Sequence, residues 1–162
     1  MNKKYKVYIE TSVISYLTAR NSNNAIVAGN QRITRLWWNS DLSLFELLIS
    51  NLVVREASLG DPIISKKRLN AIENFKNLDI TKEVEKLADL LVSQGGVPEN
   101  SIEDAFHISI ASVHGVDFLL TWNFKHIANV VSKIKIEKIV TKAGYKLPIL
   151  CSPLELMESQ NE

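Results

Sequence analysis

The stretch Val7–Leu17, V-Y-I-E-T-S-V-I-S-Y-L, decides how the rest of the chain is read. Residues Tyr5 to Ile9 are rich in β-formers and end apolar, and Thr11 and Ser12 carry hydroxyls of the kind that open a helix, so a strand gives way to a helix. Glu10 stands at the junction, at the carboxyl end of the strand. In an open parallel sheet ligands bind outside the carboxyl ends of the strands, so an acidic residue there has more chemical interest than one elsewhere. No glycine-rich phosphate loop follows the strand, since E-T-S-V-I occupies that place, and a Rossmann-like nucleotide module is poorly supported.

Outward from this stretch the strand-then-helix pattern repeats. A polar turn at Asn21–Asn24 precedes a helix over Ala25–Asn39 carrying Ile33, Leu36 and Trp37 at i, i+3, i+4 spacing. Leu42–Ile49 reads as a second strand, Asn51 as the cap of a helix through Ser58 that contains Glu56, and Gly60 as its left-handed stop. Asp61 followed by Pro62 signals a helix to about Phe75. A short strand at Leu78–Ile80 leads to a helix over Thr81–Ser93, closed by Gly95, Gly96 and Pro98. The helix Ser101–His114 is apolar on nearly every side, as packing on a sheet requires, and Gly115 ends it. Val116–Thr121 is a strand, Asn123–Ile139 mostly helical and Leu147–Cys151 a last strand. Strands alternating with helices throughout predict an α/β fold of three layers, α/β/α, with a mostly parallel central sheet.

A chain of 162 residues fits one domain, residues 1–162. Hydrophobic residues at 46% and charged residues at 23% match a globular protein and exclude disorder or a fibrous repeat. A net charge of +1 provides no global footprint for nucleic acid, so any such contact must come from a local patch. The single cysteine, Cys151, cannot form an internal disulfide, and Lys3, Lys4 and Lys6 run into an apolar stretch that Glu10 breaks at once, unlike a signal peptide. No apolar run approaches the length that spans a bilayer. A cytoplasmic setting without membrane contact is the expectation.

Three acidic residues fall near strand ends: Glu10 after the first strand, Glu56 in the helix after the second, and Asp104 in the first turn of the helix feeding Val116–Thr121. Oxygen ligands without a cysteine or histidine set suit hard cations such as Mg²⁺ or Mn²⁺. Such an ion lowers the pKa of a bound water and neutralises charge on phosphoryl oxygens, which is what phosphodiester hydrolysis needs. Each residue also has a structural reading. Glu10 complements the dipole of the next helix, Glu56 is a solvated helix residue, Asn123 caps a helix, and Asp104 completes an S-x-x-D capping box opened by Ser101. His107 and His114 lie seven apart with no third ligand to join them, which argues against zinc and assigns His107 to packing.

The segments Val7–Leu17, Asp104–Asn123 (D-A-F-H-I-S-I-A-S-V-H-G-V-D-F-L-L-T-W-N) and Pro148–Pro153 (P-I-L-C-S-P), with Glu56 on its helix, resemble the PIN domain, the fold of VapC-like ribonuclease toxins of type II toxin–antitoxin pairs. The resemblance covers essentially the whole chain and implies a PIN-like fold in which Glu10, Glu56 and Asp104 are the catalytic carboxylates. It implies one or two Mg²⁺ or Mn²⁺ held by Glu10, Glu56, Asp104 and Asn123, and an endoribonuclease acting on RNA. It further implies a cognate antitoxin protein and a homodimer as partners. Two departures matter: the first position is usually Asp, and Glu10 is one methylene longer; the fourth is usually acidic, and Asn123 is neutral. They point to one firmly held ion rather than two and to weakened turnover. The alternative is a catalytically weak PIN-like module that binds RNA or protein. Lys125, two residues past Asn123, is the candidate for phosphate contact.

Overall fold

The computed structural model describes residues 3–127 and 129–159. Five strands, β1 (Tyr5–Ile9), β2 (Phe45–Ser50), β3 (Lys76–Leu78), β4 (Phe118–Leu120) and β5 (Ile149–Cys151), form one sheet in the order β3-β2-β1-β4-β5, every neighbouring pair parallel. The helices are α1 (Thr11–Thr18), α2 (Ala25–Trp38), α3 (Asn51–Ala57), α4 (Pro62–Ile72), α5 (Lys82–Ser93), α6 (Ile102–Val113), α7 (Val130–Lys142) and α8 (Pro153–Glu158). They pack in two groups, α1 with α2, α3 and α4 and α2 with α8, against α5 with α6 and α7. The all-parallel sheet flanked by helices is the α/β architecture the alternation predicts. Parallel strands joined by helical crossovers are covered on both faces, which explains why Val7, Tyr8 and Ile9 in the central strand are all fully buried.

Local chemistry sets the helix starts. Asn24 caps α2, Asp61 caps α4 ahead of Pro62, and Thr81 caps α5, each through a side-chain oxygen accepting from backbone N–H groups. Gly60, at φ 84°, makes the left-handed stop expected after α3. Strand limits differ from expectation because pairing, not propensity, sets them. Strand β2 begins only at Phe45, where its register with Tyr5 begins, and β3 lies at 76–78, opposite Leu48, Ile49 and Ser50, rather than at 78–80. The helix expected from Asn123 is a turn; α7 starts at Val130 behind its cap, Asn129. An unforeseen final helix, α8, opens with a reciprocal capping box between Ser152 and Glu155. Among the described residues no helix is long and apolar enough to cross a membrane.

The chain moves outward from β1 through β2 to β3, then returns to lay β4 on the other side of β1. The strand order therefore reverses between β1 and β4, and the crevice at the carboxyl ends of these two strands is the place where an open α/β sheet binds its ligand. Trp37 is fully buried, and Trp38 packs edge-on against it at 6.1 Å and against Phe75 at 5.6 Å, so both belong to the interior packing.

Candidate active site at the carboxyl edge of the sheet

Glu10 is buried at the end of β1 and is itself the cap of α1, with an extended backbone (φ −76°, ψ 153°). Its Oε2 accepts from the Ser12 N–H at 2.9 Å, from the Ser12 hydroxyl, and from Thr121 Oγ1 at 3.0 Å. The same hydroxyls reach onward: Ser12 Oγ accepts from the Trp122 N–H and Thr121 Oγ1 from the Asn123 N–H, both at 2.9 Å. The helix-start reading of Glu10 is thus correct as to structure, and its second oxygen takes no part in these bonds.

Glu56, on α3, is partly exposed. Its Oε1 accepts from Thr11 Oγ1 at 2.8 Å and from His107 Nε2 at 2.6 Å. Burial pushes the Glu56 carboxyl up, but the hydrogen bond and charge of His107, joined by Thr11 and Arg55, outweigh it and hold the group below its ordinary value. His107 is fully enclosed. Burial pulls its imidazole down, while the bond to Glu56 and the charges of Glu10, Glu56 and Asp104 raise it above its ordinary value. The two shifts agree in sense: each partner favours the charged form of the other. Behind the ring, His107 Nδ1 lies 2.7 Å from the Tyr8 hydroxyl, which lies 2.8 Å from Ser50 Oγ.

Asp104 sits in the first turn of α6, one turn before His107, and its Oδ1 accepts from Asn123 Nδ2 at 3.2 Å. Burial raises its carboxyl, His107 lowers it, Glu10 raises it, His126 lowers it and Glu56 raises it, with a net rise. The capping box expected from Ser101 does not form. A 3-10 turn over Glu99–Ser101 runs straight into α6, leaving Ser101 at φ −126°, ψ 38°, outside the extended conformation a cap adopts, and its hydroxyl turns 3.4 Å toward Asn100 Oδ1. Asn123 caps no helix either; its side chain is spent on Asp104.

A cleft of about 800 Å³ opens over this edge, walled by Arg55, Glu56, Asn100, Glu103, Asp104 and His126 among others. Glu56 and Asp104 thus share one cleft. Glu10 does not line it, and connects to it through Thr11, the next residue, which holds Glu56, and through its charge on Asp104. Lys125 is exposed beside His126 without lining the cleft. As the side chains stand, no group of three or more His, Cys, Asp or Glu among the described residues is close enough to enclose an ion. The donor set still fits a hard divalent cation by chemistry: three carboxylates and a carboxamide, each carboxylate with one oxygen tied and one outside the bonds just described.

Sequence reasoning assigned His107 to packing and Thr11 to a helix start and passed over Tyr8; it did not see that His107 and Thr11 meet Glu56. A signal existed for the first. His107 follows Asp104 by three on a helix, which puts both on one face. Just past β4, Trp122 stacks on Tyr16 at 6.0 Å and meets Phe124 edge-on at 6.1 Å.

The chain resembles two solved structures in fold. One is VapBC2 from Rickettsia felis, bound to a DNA fragment from its promoter, at 16% identity and TM-score 0.53, covering 91% of this chain and 98% of that one. The other is VapC20 from Mycobacterium tuberculosis, a sarcin-ricin loop cleaving toxin, at 17% identity and TM-score 0.53, covering 86% and 95%. No curated protein sequence matches the chain. The model of the PIN domain matches residues 7–130, a span that runs from β1 to the first residue of α7 and includes Glu10, Glu56, Asp104 and Asn123. With the acidic residues at the carboxyl edge of a parallel sheet and that match over most of its length, the chain belongs to the PIN-domain family.

Proposed function

We propose that this PIN domain is an endoribonuclease, dependent on Mg²⁺ or Mn²⁺, that hydrolyses RNA phosphodiester bonds, and that it is the toxin of a type II toxin–antitoxin pair. One observation supports the reading most: Glu10, Glu56 and Asp104 each commit a single oxygen to protein donors at the switch point of the sheet, leaving the other oxygen of each for an ion. Glu10, Glu56 and Asp104, with the Asn123 carbonyl oxygen, would hold it. A bound ion supplies an activated water and offsets charge on the phosphoryl oxygens. The protein's own part is positional. Asn123 steadies Asp104, Ser12 and Thr121 fix Glu10, Arg55 and His126 wall the cleft as cations for a phosphate backbone, and Lys125, exposed beside His126, would extend that contact outside it. The nuclease character of PIN domains as a family and the VapC-like fold support the assignment. A cognate antitoxin covering the cleft, a homodimer and a cytoplasmic setting belong to the same proposal.

A second reading, a PIN-like module that binds RNA or protein and cuts weakly, rests on Asn123, which is neutral and already bonded to Asp104. Incubation of purified protein with structured and unstructured RNA, with and without Mn²⁺, separates the two. Cleavage that needs Mn²⁺ and disappears in Asp104→Ala is expected. Equal cleavage by wild type and Asp104→Ala, free of contaminating nuclease, would sink the mechanism.

A further inference from the structure

A buried hydrogen-bond chain runs behind the cleft. Ser50 Oγ, Tyr8 Oη and His107 Nδ1 follow one another at 2.8 and 2.7 Å, and His107 Nε2 meets Glu56 Oε1 at 2.6 Å. Tyr8 and Ser50 are fully buried, and His107 is 1% exposed, so water does not satisfy these groups; beyond the links of the chain itself, Ser50 Oγ also accepts from the Val53 N–H at 3.3 Å. The chain ties together β1, β2, α3 and α6. Glu10 follows β1, Ser50 ends β2 and caps α3, Glu56 rides on α3, and Asp104 rides on α6.

The direction of the hydrogens follows from the donors available. An ionised carboxylate only accepts, so Nε2 must carry a hydrogen whatever the charge on the ring. Burial holds the Tyr8 phenol well above its ordinary value, with Ser50 lowering it and Glu10 and Glu56 raising it further, so the hydroxyl keeps its proton and remains a partner for Nδ1. Thr11 Oγ1 donates to the same Glu56 oxygen as His107, at 2.8 Å. Two donors from different elements therefore select Oε1, and the carboxylate is fixed with Oε2 left over. Neither His107 nor Tyr8 lines the cleft.

Building on the metal-site reading above, we propose that His107, backed by Tyr8, is a positioning residue for Glu56: it fixes which carboxylate oxygen is presented to the divalent cation, and so sets ion affinity and turnover without touching ion or RNA. A histidine kept only for packing would affect melting temperature alone. A positioning residue affects the ion.

The experiment compares wild type, His107→Gln, His107→Asn and Tyr8→Phe. Glutamine can carry an amide donor out to the Nε2 position, asparagine ends near Nδ1 and cannot reach Glu56, and phenylalanine keeps the Tyr8 ring while deleting its hydroxyl. Mn²⁺ binding is measured by calorimetry, and kcat and KM are measured on single-stranded RNA. For His107→Asn the Mn²⁺ affinity should fall by roughly 10- to 100-fold, the cost typical of losing a partner that orients a metal ligand. Its kcat should fall with it while KM for RNA stays put. His107→Gln should recover most of both, and Tyr8→Phe should shift both in the same direction by less. Wild-type Mn²⁺ affinity in His107→Asn, or equal losses in His107→Asn and His107→Gln, overturns the inference. If His107→Asn does not fold, Tyr8→Phe decides: a folded variant with unchanged Mn²⁺ affinity and kcat overturns it. A wild-type protein that neither binds Mn²⁺ nor cuts RNA overturns the metal-site reading and the inference together, whereas a wild type that does both beside indifferent variants overturns the inference alone.

Discussion

The two flanks of β1 hold an acidic residue in opposite ways. On the β4 side Glu10 is gripped by its immediate surroundings: the backbone N–H of Ser12, the hydroxyl of Ser12, and Thr121 just past the end of β4, all on a residue that is 6% exposed. On the β2 side Glu56 is gripped only by side chains, Thr11 and His107, and its own side chain is 28% exposed. A carboxylate at a helix start receives part of its support from the backbone, whatever residues lie nearby. One in the body of a helix depends entirely on which residues are there. The β4 flank therefore takes part of its hold from the backbone of a helix start, whereas the β2 flank rests wholly on residue identity and is the more open to adjustment.

The largest expected effect tests whether the two flanks serve one ion. If they do, saturation at roughly 100 times the dissociation constant should add about 2.7 kcal/mol to wild type, because the ion binds the native cleft and scarcely the unfolded chain. Asp104→Asn should lose that response. Without the ion it should be at least as stable as wild type, since burial and the nearby Glu10 and Glu56 disfavour the Asp104 charge and no Ser101 cap depends on it. Thermal melts with chelator and with Mn²⁺ decide the matter; equal metal-induced shifts in the two proteins would remove Asp104 from the ligand set.

A smaller effect sharpens the contrast between the flanks. Thr121→Val deletes a buried hydroxyl that donates to Glu10 and accepts from the Asn123 N–H, and should cost about 2 kcal/mol, in the range for buried bonds to a charged group. Thr11→Val removes one donor from the more exposed Glu56 and should cost about 1 kcal/mol or less. Urea denaturation of both variants measures the gap. Equal losses would erase the distinction between the flanks.

The smallest effect is the pH dependence of the β2 flank. Glu56 is held below its ordinary 4.5, so its contribution to stability is complete above that value and is lost as pH falls through the lowered one. His107 is raised above its ordinary 6.5, so its contribution is complete below 6.5 and is lost as pH rises through the raised value. The pair should stabilise most between pH 4.5 and 6.5. Glu56→Gln should flatten the dependence of the urea midpoint on pH across both limits; a curve that keeps its shape in the variant would locate the titration elsewhere.

The order of elements was legible because the punctuation is chemical and local. Asp61 with Pro62 and the positive-φ Gly60, Gly95 and Gly115 act within a few residues of themselves. What was not legible depends on partners far along the chain. The ends of β2 and β3 are set by strands they pair with, and the S-x-x-D spacing at Ser101 failed because the preceding 3-10 turn changes the backbone there. At the site, Glu56 in the helix after the second strand and Asp104 opening the helix before the fourth could be placed together from the family pattern. The bonds of Tyr8 to His107 and of Glu56 to His107 span 99 and 51 positions, and no local rule reports them.

The first strand of the chain is the central strand of the sheet, and it cannot finish pairing until β4 arrives, since Thr121 and Glu10 are 111 positions apart. Contacts of such long range form late in folding, because loop closure must precede any gain from them. The amino-terminal half holds β1, β2 and the helices that follow them, but Glu10 there still lacks Thr121, and Asp104 and Asn123 both lie beyond it. The carboxyl edge of the sheet is therefore assembled from both halves of the chain: Glu10 and Glu56 are in place along it long before the residues, Thr121 and Asn123, that complete the surroundings of Glu10 and Asp104.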